Sequence, residues 1–128
     1  MPAMISSIFP VAESSGGGYR PDQVYLVDDT ITVAWDDEKM REIIVEYDMP
    51  KGAYGFAQEC NNSITISDKG GFDERFILLH EIMHHIMYRF GNGLDDEATE
   101  AICDVMTRGV LNFIRNNPEV VRYLSESS

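Results

Sequence analysis

Apolar residues recur at helical spacing across residues 73–90, a segment that contains no proline or glycine. With 3.6 residues per turn they form one stripe, which we expect to face the core. The stripe consists of Phe76, Leu79, Met83, Ile86, Met87 and Phe90. Asp73 is a suitable N-cap and Gly91 a suitable C′ residue, so the pattern predicts an amphipathic helix.

A second helix is predicted for residues 95–115, capped by Asp95 or Asp96. The connection through Gly91-Asn92-Gly93 is short, and a short connection folds two helices back on each other in antiparallel fashion. Pro118 then starts a short terminal helix over residues 118–124.

Strand-like patterns precede the helices. Residues 24–27 and 31–35 flank the polar turn 28–30 and predict a β-hairpin. Residues 43–47 predict a third strand, and residues 63–67 alternate Ile64 and Ile66 with polar residues, which predicts a half-buried strand. We therefore expect an α+β fold, with a small, mainly antiparallel sheet of three or four strands followed by two helices and the short terminal one.

The domain organisation is predicted to be simple. Residues 1–20 include the run Ser14-Ser15-Gly16-Gly17-Gly18 and are expected to form a flexible N-terminal arm. Residues 21–128 then form a single domain.

The first predicted helix carries the sequence His80-Glu81-Ile82-Met83-His84. Two histidines four residues apart lie about 40° apart around a helix axis and one turn apart along it, so both can bind one metal ion. Glu81 lies beside them, where its carboxylate can reach a water in an open coordination position. This arrangement predicts a zinc hydrolase with His80 and His84 as ligands and Glu81 as general base.

A catalytic zinc ion usually takes three protein ligands. The remaining histidine, His85, points away from His84 and is interpreted as a surface or outer-sphere side chain. The third ligand is therefore expected from the acidic start of the second helix, with Glu100 as first choice and Glu97 as second. Acidic residues are also favoured at a helix N-terminus without any metal, because they interact well with the helix dipole.

Asp104 follows Glu100 by one helical turn. Metal-bound histidines generally donate their other N–H group to a carboxylate or a carbonyl. Asp104 is expected to be that acceptor.

These residues resemble the gluzincin class of zinc metallopeptidases, and the spacing of Glu100 and Asp104 is similar to the thermolysin-like arrangement. The small size and the order of elements resemble the ImmA/IrrE group and its short phage-encoded relatives. This likeness covers roughly the C-terminal two-thirds of the chain. It is carried by Tyr54-Gly55-Phe56 leading into residues 63–67, by residues 78–84, and by Asn116-Asn117-Pro118-Glu119 with Val120-Val121.

The resemblance implies a zinc-dependent peptidase that is often encoded by phages or mobile elements and acts on a regulatory protein such as a repressor. In zinc peptidases the strand before the metal-binding helix commonly holds an extended peptide, and residues 62–67 occupy that position; an ordinary inner strand is the alternative. Tyr88 and Tyr54 are candidate donors to the oxyanion, although core packing explains either residue equally well.

Composition limits the partners. Aspartate and glutamate number 22 against 10 lysines and arginines, for a formal net charge of −12. This balance disfavours a nucleic-acid partner and favours a substrate with basic segments, or else keeps a small protein in solution. No run approaches the roughly 18 to 20 apolar residues of a membrane span, and residues 1–10 lack a secretion-signal pattern.

Cys60 and Cys103 have no Cys-x-x-Cys spacing, which is typical of reduced thiols and predicts a cytoplasmic location, that of a host cell if a phage encodes the chain. The alternative function is a non-catalytic module that binds a metal and a partner protein on a peptidase scaffold.

Overall fold

The computed structural model describes residues 19–126. Four strands form one sheet: β1 (Gln23–Leu26), β2 (Asp29–Trp35), β3 (Gly55–Gln58) and β4 (Ser63–Ile66). The helices are α1 (Asp37–Glu46), α2 (Glu74–Phe90), α3 (Asp96–Asn116) and α4 (Pro118–Ser125). The predicted α+β class is confirmed. The predicted arm lies outside the described residues, apart from residues 19 and 20.

The sheet has the strand order β1-β2-β4-β3. The predicted hairpin is confirmed, since β1 and β2 are antiparallel, but its turn is Val27-Asp28 and β2 begins at Asp29. β3 and β4 are also antiparallel, whereas β2 and β4 run parallel. Two of the three pairings are therefore antiparallel, and β3 is an edge strand.

The third predicted strand, residues 43–47, is wrong: this segment belongs to α1. Asp36 caps that helix by accepting a hydrogen bond from the backbone N–H of Lys39. Met40 and Ile43 are buried one turn apart, whereas Val45 is exposed. The β-branched run Ile43-Ile44-Val45 favours a strand only weakly, and the cap together with the helical spacing of the buried residues outweighs it.

β4 is an inner strand and is more buried than expected. Ile64, Thr65 and Ile66 are all buried, because the sheet is covered on both faces. Ile64 and Ile66 belong to the core cluster shared with α2, and α1 packs on the opposite face. The half-buried strand predicted from alternation is therefore wrong in its burial. β4 has no free edge for an added peptide strand, and the edge strands of the described sheet are β1 and β3.

α2 begins after Asp73, whose carboxylate accepts hydrogen bonds from the N–H groups of Arg75 and Phe76, so the predicted N-cap is confirmed. Gly91 ends the helix, but as the C-cap, with φ of −104° rather than the left-handed conformation of a C′ glycine. Asp95 caps α3 by accepting from Ala98 N–H, also as predicted.

The buried face of α2 differs from the predicted apolar stripe. Only Phe76 of that stripe is buried, and Phe90 is 66% exposed. The side chains that α2 buries are Phe76, Ile77, His80, Glu81 and His85. The side of α2 that faces the sheet and α3 is therefore more polar than the predicted stripe. His80 and His85 find hydrogen-bond partners on α3 and β4, which the periodicity of the sequence cannot indicate.

No helix within residues 19–126 has both the length and the apolar content needed to cross a membrane.

We expect Asp73→Ala to lower the free energy of unfolding by about 1–2 kcal/mol, because the first turn of α2 loses its cap. Asp73→Asn should cost much less, since asparagine caps as well as aspartate. Urea denaturation of the two variants measures the difference. Equal losses would show that the charge of Asp73, which lies 3.7 Å from Arg115, matters more than its capping.

Candidate metal centre

The motif on α2 lies where this helix packs between the sheet and α3. His80 and Glu81 are buried, and His84 is partly buried one turn further along. The rings of His80 and His84 are 5.0 Å apart between centroids. The spacing of four residues has therefore brought the two imidazoles together, as the sequence predicts.

Glu100 on α3 contacts both rings. Its Oε2 lies 3.1 Å from His80 Nε2, and its Oε1 lies 2.9 Å from His84 Nε2. One ligand atom from each of these three residues fits within a group whose members all lie within 4.8 Å of one another, so the group can hold a metal ion. Glu97, the second choice for the third ligand, is exposed and lies outside this group.

The donor set can be tested against the metal. Two imidazoles and one carboxylate form a common ligand set for a catalytic zinc ion, with ligand atoms about 2.0–2.2 Å from the metal. The two imidazole nitrogens lie 3.1 and 2.9 Å from the Glu100 oxygens, and one ligand atom from each residue lies within 4.8 Å of the others. The three side chains are therefore close enough together to hold such an ion.

Hydrogen bonds within this group shift the pKa values of Glu100 and His84. Those from His80 and His84 hold the pKa of Glu100 far below its usual range. Burial lowers the pKa of His84, but hydrogen bonds with Cys103 and Glu100 and the charge of Glu81 raise it to about 10. Without a metal, His84 is therefore protonated at neutral pH, and metal binding must displace that proton.

Glu81 occupies a different environment. Burial raises the pKa of its carboxyl, while the nearby His84 and His80 oppose that shift. Gly55 at the start of β3 packs directly against it: a Cβ atom at Gly55 would lie 2.9 Å from Glu81 Oε2 and 2.7 Å from Ile77 Cγ2. The edge strand thus holds the Glu81 side chain closely in place.

His85 is not a surface residue. It is fully buried, and its Nε2 lies 3.0 Å from the carbonyl oxygen of Ser63. Arg89 contacts its other side and also binds Asp29 and Asn62. His85 therefore ties α2 to the sheet and takes no part in the metal group.

Asp104 does not contact the two histidine ligands. Its Oδ2 accepts a hydrogen bond from Arg108 at 3.3 Å, and His80 Nδ1 is buried without a partner among the described residues. Cys103 is fully buried and lies close enough to raise the pKa of His84. Spacing alone does not indicate this proximity, because it depends on the rotation of α3.

A cleft of about 910 Å³ opens beside the metal group. Its walls come from the loop before β3, from β3 itself, from α2 and from α3. The lining residues are Met49, Pro50, Gly52, Ala53, Gly55, Phe56, Ala57, His80, Glu81, His84, Tyr88, Glu97, Glu100, Ala101, Asp104 and Arg108. The metal group therefore faces a space large enough for several residues of a peptide.

The two candidate tyrosines are in different places. Tyr88 lines the cleft, and its hydroxyl donates a hydrogen bond to the Ala57 carbonyl at 3.3 Å. Burial and nearby acidic groups raise its pKa to about 12, so the hydroxyl keeps its proton at neutral pH. Tyr54 instead stacks on Phe72, with ring centroids 4.2 Å apart, and it does not line the cleft.

Comparison with protein-family models, with curated proteins and with solved structures finds no match for this chain.

We expect His80→Ala, His84→Ala and Glu100→Ala each to abolish stoichiometric zinc binding, because each variant removes one of three ligands. Glu97→Ala should keep the metal, since this side chain lies outside the group. His85→Ala should keep it too, but with a loss of stability. Metal analysis and isothermal titration after removal of free zinc provide the measurement. Metal loss in Glu97→Ala, with retention in Glu100→Ala, would contradict the assignment.

Gly55→Ala should displace the Glu81 carboxylate, because the new methyl group has no space beside it. We expect the hydrolytic activity that the sequence predicts to fall at least tenfold while metal binding is kept, because a small movement of the Glu81 carboxylate is enough to change the first and not the second. Gly109→Ala is the matched control: its Cβ meets no atom within 4 Å, and a helical Gly→Ala change stabilises by about 0.5–1 kcal/mol. Unchanged kinetics in Gly55→Ala would show that β3 does not position Glu81.

Proposed function

We propose that this protein is a zinc-dependent peptidase in which Glu81 acts as general base. The observation that carries the proposal is the position of Glu81 beside the group of His80, His84 and Glu100, with all four side chains lining one cleft. A purely structural metal site is closed by a fourth protein ligand and has no use for a carboxylate next to it.

The choice of metal follows from the donors. Imidazole nitrogens and a carboxylate oxygen suit zinc in an open catalytic site better than the all-oxygen sites of magnesium or calcium. A zinc ion held by His80, His84 and Glu100 supplies Lewis acidity, which polarises a carbonyl group and lowers the pKa of water.

The side chains of this protein supply the remaining chemistry. Glu81 takes a proton from the attacking water and returns it to the leaving amine, for which its buried position between α2 and β3 is suitable. Tyr88 is the candidate donor to the developing oxyanion, because it lines the cleft and keeps its proton; its hydroxyl would exchange the hydrogen bond to the Ala57 carbonyl for one to the oxyanion.

The edge strand β3 is the proposed binding site for the substrate backbone. Gly55, Phe56 and Ala57 line the cleft, and on the described part of the chain β3 pairs on one side only, with β4. An extended peptide can pair with the other side by strand addition, as in many peptide-recognition sites. In this proposal the scissile bond lies between β3 and the histidines of α2.

The biological substrate is proposed from the resemblance alone. We propose a regulatory protein such as a repressor, cut in the cytoplasm of a bacterial or other host cell, for a chain encoded by a phage or mobile element. The cytoplasmic location is supported by two free cysteines, one exposed at Cys60 and one buried at Cys103.

A non-catalytic binding module is the second candidate, and exposed apolar side chains favour it. Val105 on α3 is 66% exposed, and Tyr123 and Leu124 on α4 are 74% and 66% exposed. Large apolar side chains in water often mark surfaces that bind other proteins. In that case the metal would serve the fold, and these exposed residues of α3 and α4, which lie outside the cleft, would bind a partner.

We expect Glu81→Gln to keep zinc and fold but to lose hydrolysis, because the amide preserves shape while lacking basicity. Glu97→Gln is the matched control, since Glu97 also lines the cleft but lies outside the metal group. Cleavage of a broad peptide library by mass spectrometry, with and without a chelator, gives the measurement. Chelator-sensitive cleavage that survives in Glu81→Gln would refute the general-base role. A wild-type protein that binds partners but cuts nothing would favour the binding module.

A further inference from the structure

The cleft has an uneven distribution of charge along α3. Glu97 and Glu100 line its wall in the first turns of the helix, and Asp104 follows them one turn later. Arg108 comes last and is the only lysine or arginine among the described residues that line the cleft. A negatively charged group of a ligand therefore has one favourable position on this wall, and it lies beside Arg108.

Arg108 has unused hydrogen-bonding capacity. Its guanidinium carries five N–H donors, but it makes a single hydrogen bond within the described residues, from NH2 to Asp104 Oδ2 at 3.3 Å. The Nε atom is buried without a partner, whereas the side chain as a whole is 42% exposed. Because Arg108 also lines the cleft, we expect its remaining N–H donors to be available to a ligand there.

The contact with Asp104 satisfies only a small part of the hydrogen-bonding capacity of Arg108. Two oppositely charged residues four positions apart on an exposed helix face interact weakly, and a separation of 3.3 Å is long for a charged pair. Guanidinium groups bind carboxylates most strongly through two parallel N–H bonds, which Asp104 does not provide here. A carboxylate from the cleft can still form such a paired contact with the terminal nitrogens.

We propose that Arg108 determines substrate specificity by binding a carboxylate of the peptide that occupies the cleft. This inference rests on the proposed peptidase function, which it extends to a class of substrate. The carboxylate is either the side chain of an aspartate or glutamate or the C-terminus of the peptide. A carboxylate placed near the start of α3 would meet Glu97, which lies outside the metal group, and be repelled.

The position of Arg108 limits where this carboxylate lies in the substrate. Arg108 is two helical turns beyond Glu100, which is about 12 Å along the helix axis. An extended peptide covers about 3.3 Å per residue, and the arginine side chain can reach back towards the metal group. The carboxylate should therefore lie about two to four residues from the scissile bond.

The test uses a peptide library of fixed length in which each position in turn carries Glu, Gln or Lys, with free and amidated C-termini compared. Binding is measured with zinc-supplemented Glu81→Gln protein, and cleavage with the protein that has the native Glu81. At one position, or at the C-terminus, we expect replacement of the carboxylate by an amide to weaken binding about tenfold, as for loss of a hydrogen bond to a charged group. In cleavage the same change should raise KM more than it lowers kcat.

Three variants show whether Arg108 is responsible. Arg108→Gln should remove the preference for the carboxylate, and Arg108→Glu should replace it by a preference for lysine at the same position. Arg122→Gln removes the same charge from α4, outside the cleft, and should leave the preference intact. A reversed preference cannot arise from a merely structural role of Arg108.

The outcomes separate this inference from the proposed function. Cleavage with equal preference for Glu and Gln at every position and at the C-terminus would overturn the role of Arg108 and leave the peptidase standing. Carboxylate-dependent binding without cleavage by the native protein would contradict the peptidase and support the role of Arg108. Failure of every peptide to bind, or a preference that survives in Arg108→Gln, would overturn the inference.

Discussion

The carboxylate of Glu100 contacts two imidazoles of the neighbouring helix, and this bridge constrains how α2 and α3 pack. His80 is buried, so its ring nitrogen needs a hydrogen-bond partner, and Glu100 supplies one while its own side chain stays 46% exposed. Glu100 can reach both rings only if α3 is rotated so that Cys103 also faces α2. The same rotation puts Asp104 and Arg108 on the wall of the cleft. The chemistry of the site and the shape of the cleft therefore depend on one helix pairing.

The sheet imposes a second constraint, on the base rather than on the ligands. β3 runs along the cleft, and Gly55 leaves room for Glu81 where any side chain would collide with it. The parallel pairing of β2 and β4 requires a crossover, and α1, followed by β3, lies within it. This connection places β3 at the edge of the sheet, and its loop supplies the apolar wall with Met49 and Pro50. The loop before β3 and β3 itself, for which the sequence predicts neither strand nor helix, thus form much of the cleft.

The sequence predicts correctly those features that depend on neighbouring residues of one helix. The positions of His80, Glu81 and His84 follow from helical spacing, and Asp73 and Asp95 follow from the chemistry of capping. It fails where tertiary contacts decide. The buried face of α2 was assigned to an apolar stripe, whereas the helix buries polar residues whose partners come from α3 and β4. The side of α3 that faces α2 cannot be found from spacing, because it depends on tertiary packing, whereas the pairing of Asp104 with Arg108, four residues apart on one helix, is what spacing predicts.

The candidate site carries a cost in stability that is consistent with a functional role. Glu81 is buried, which raises the pKa of its carboxyl, and His80 Nδ1 is buried without a partner among the described residues. Each such group loses hydration on folding without full compensation, so a structure selected for stability alone would replace it by an apolar residue. The network of His85 and Arg89 and the apolar core around Phe76 offset that cost from the other side of the same helix. α2 therefore combines a side that stabilises the fold through the sheet with a side that faces the cleft and destabilises it. A cation bound by His80, His84 and Glu100 would lower the cost of the second side, because it would attract the Glu81 carboxylate.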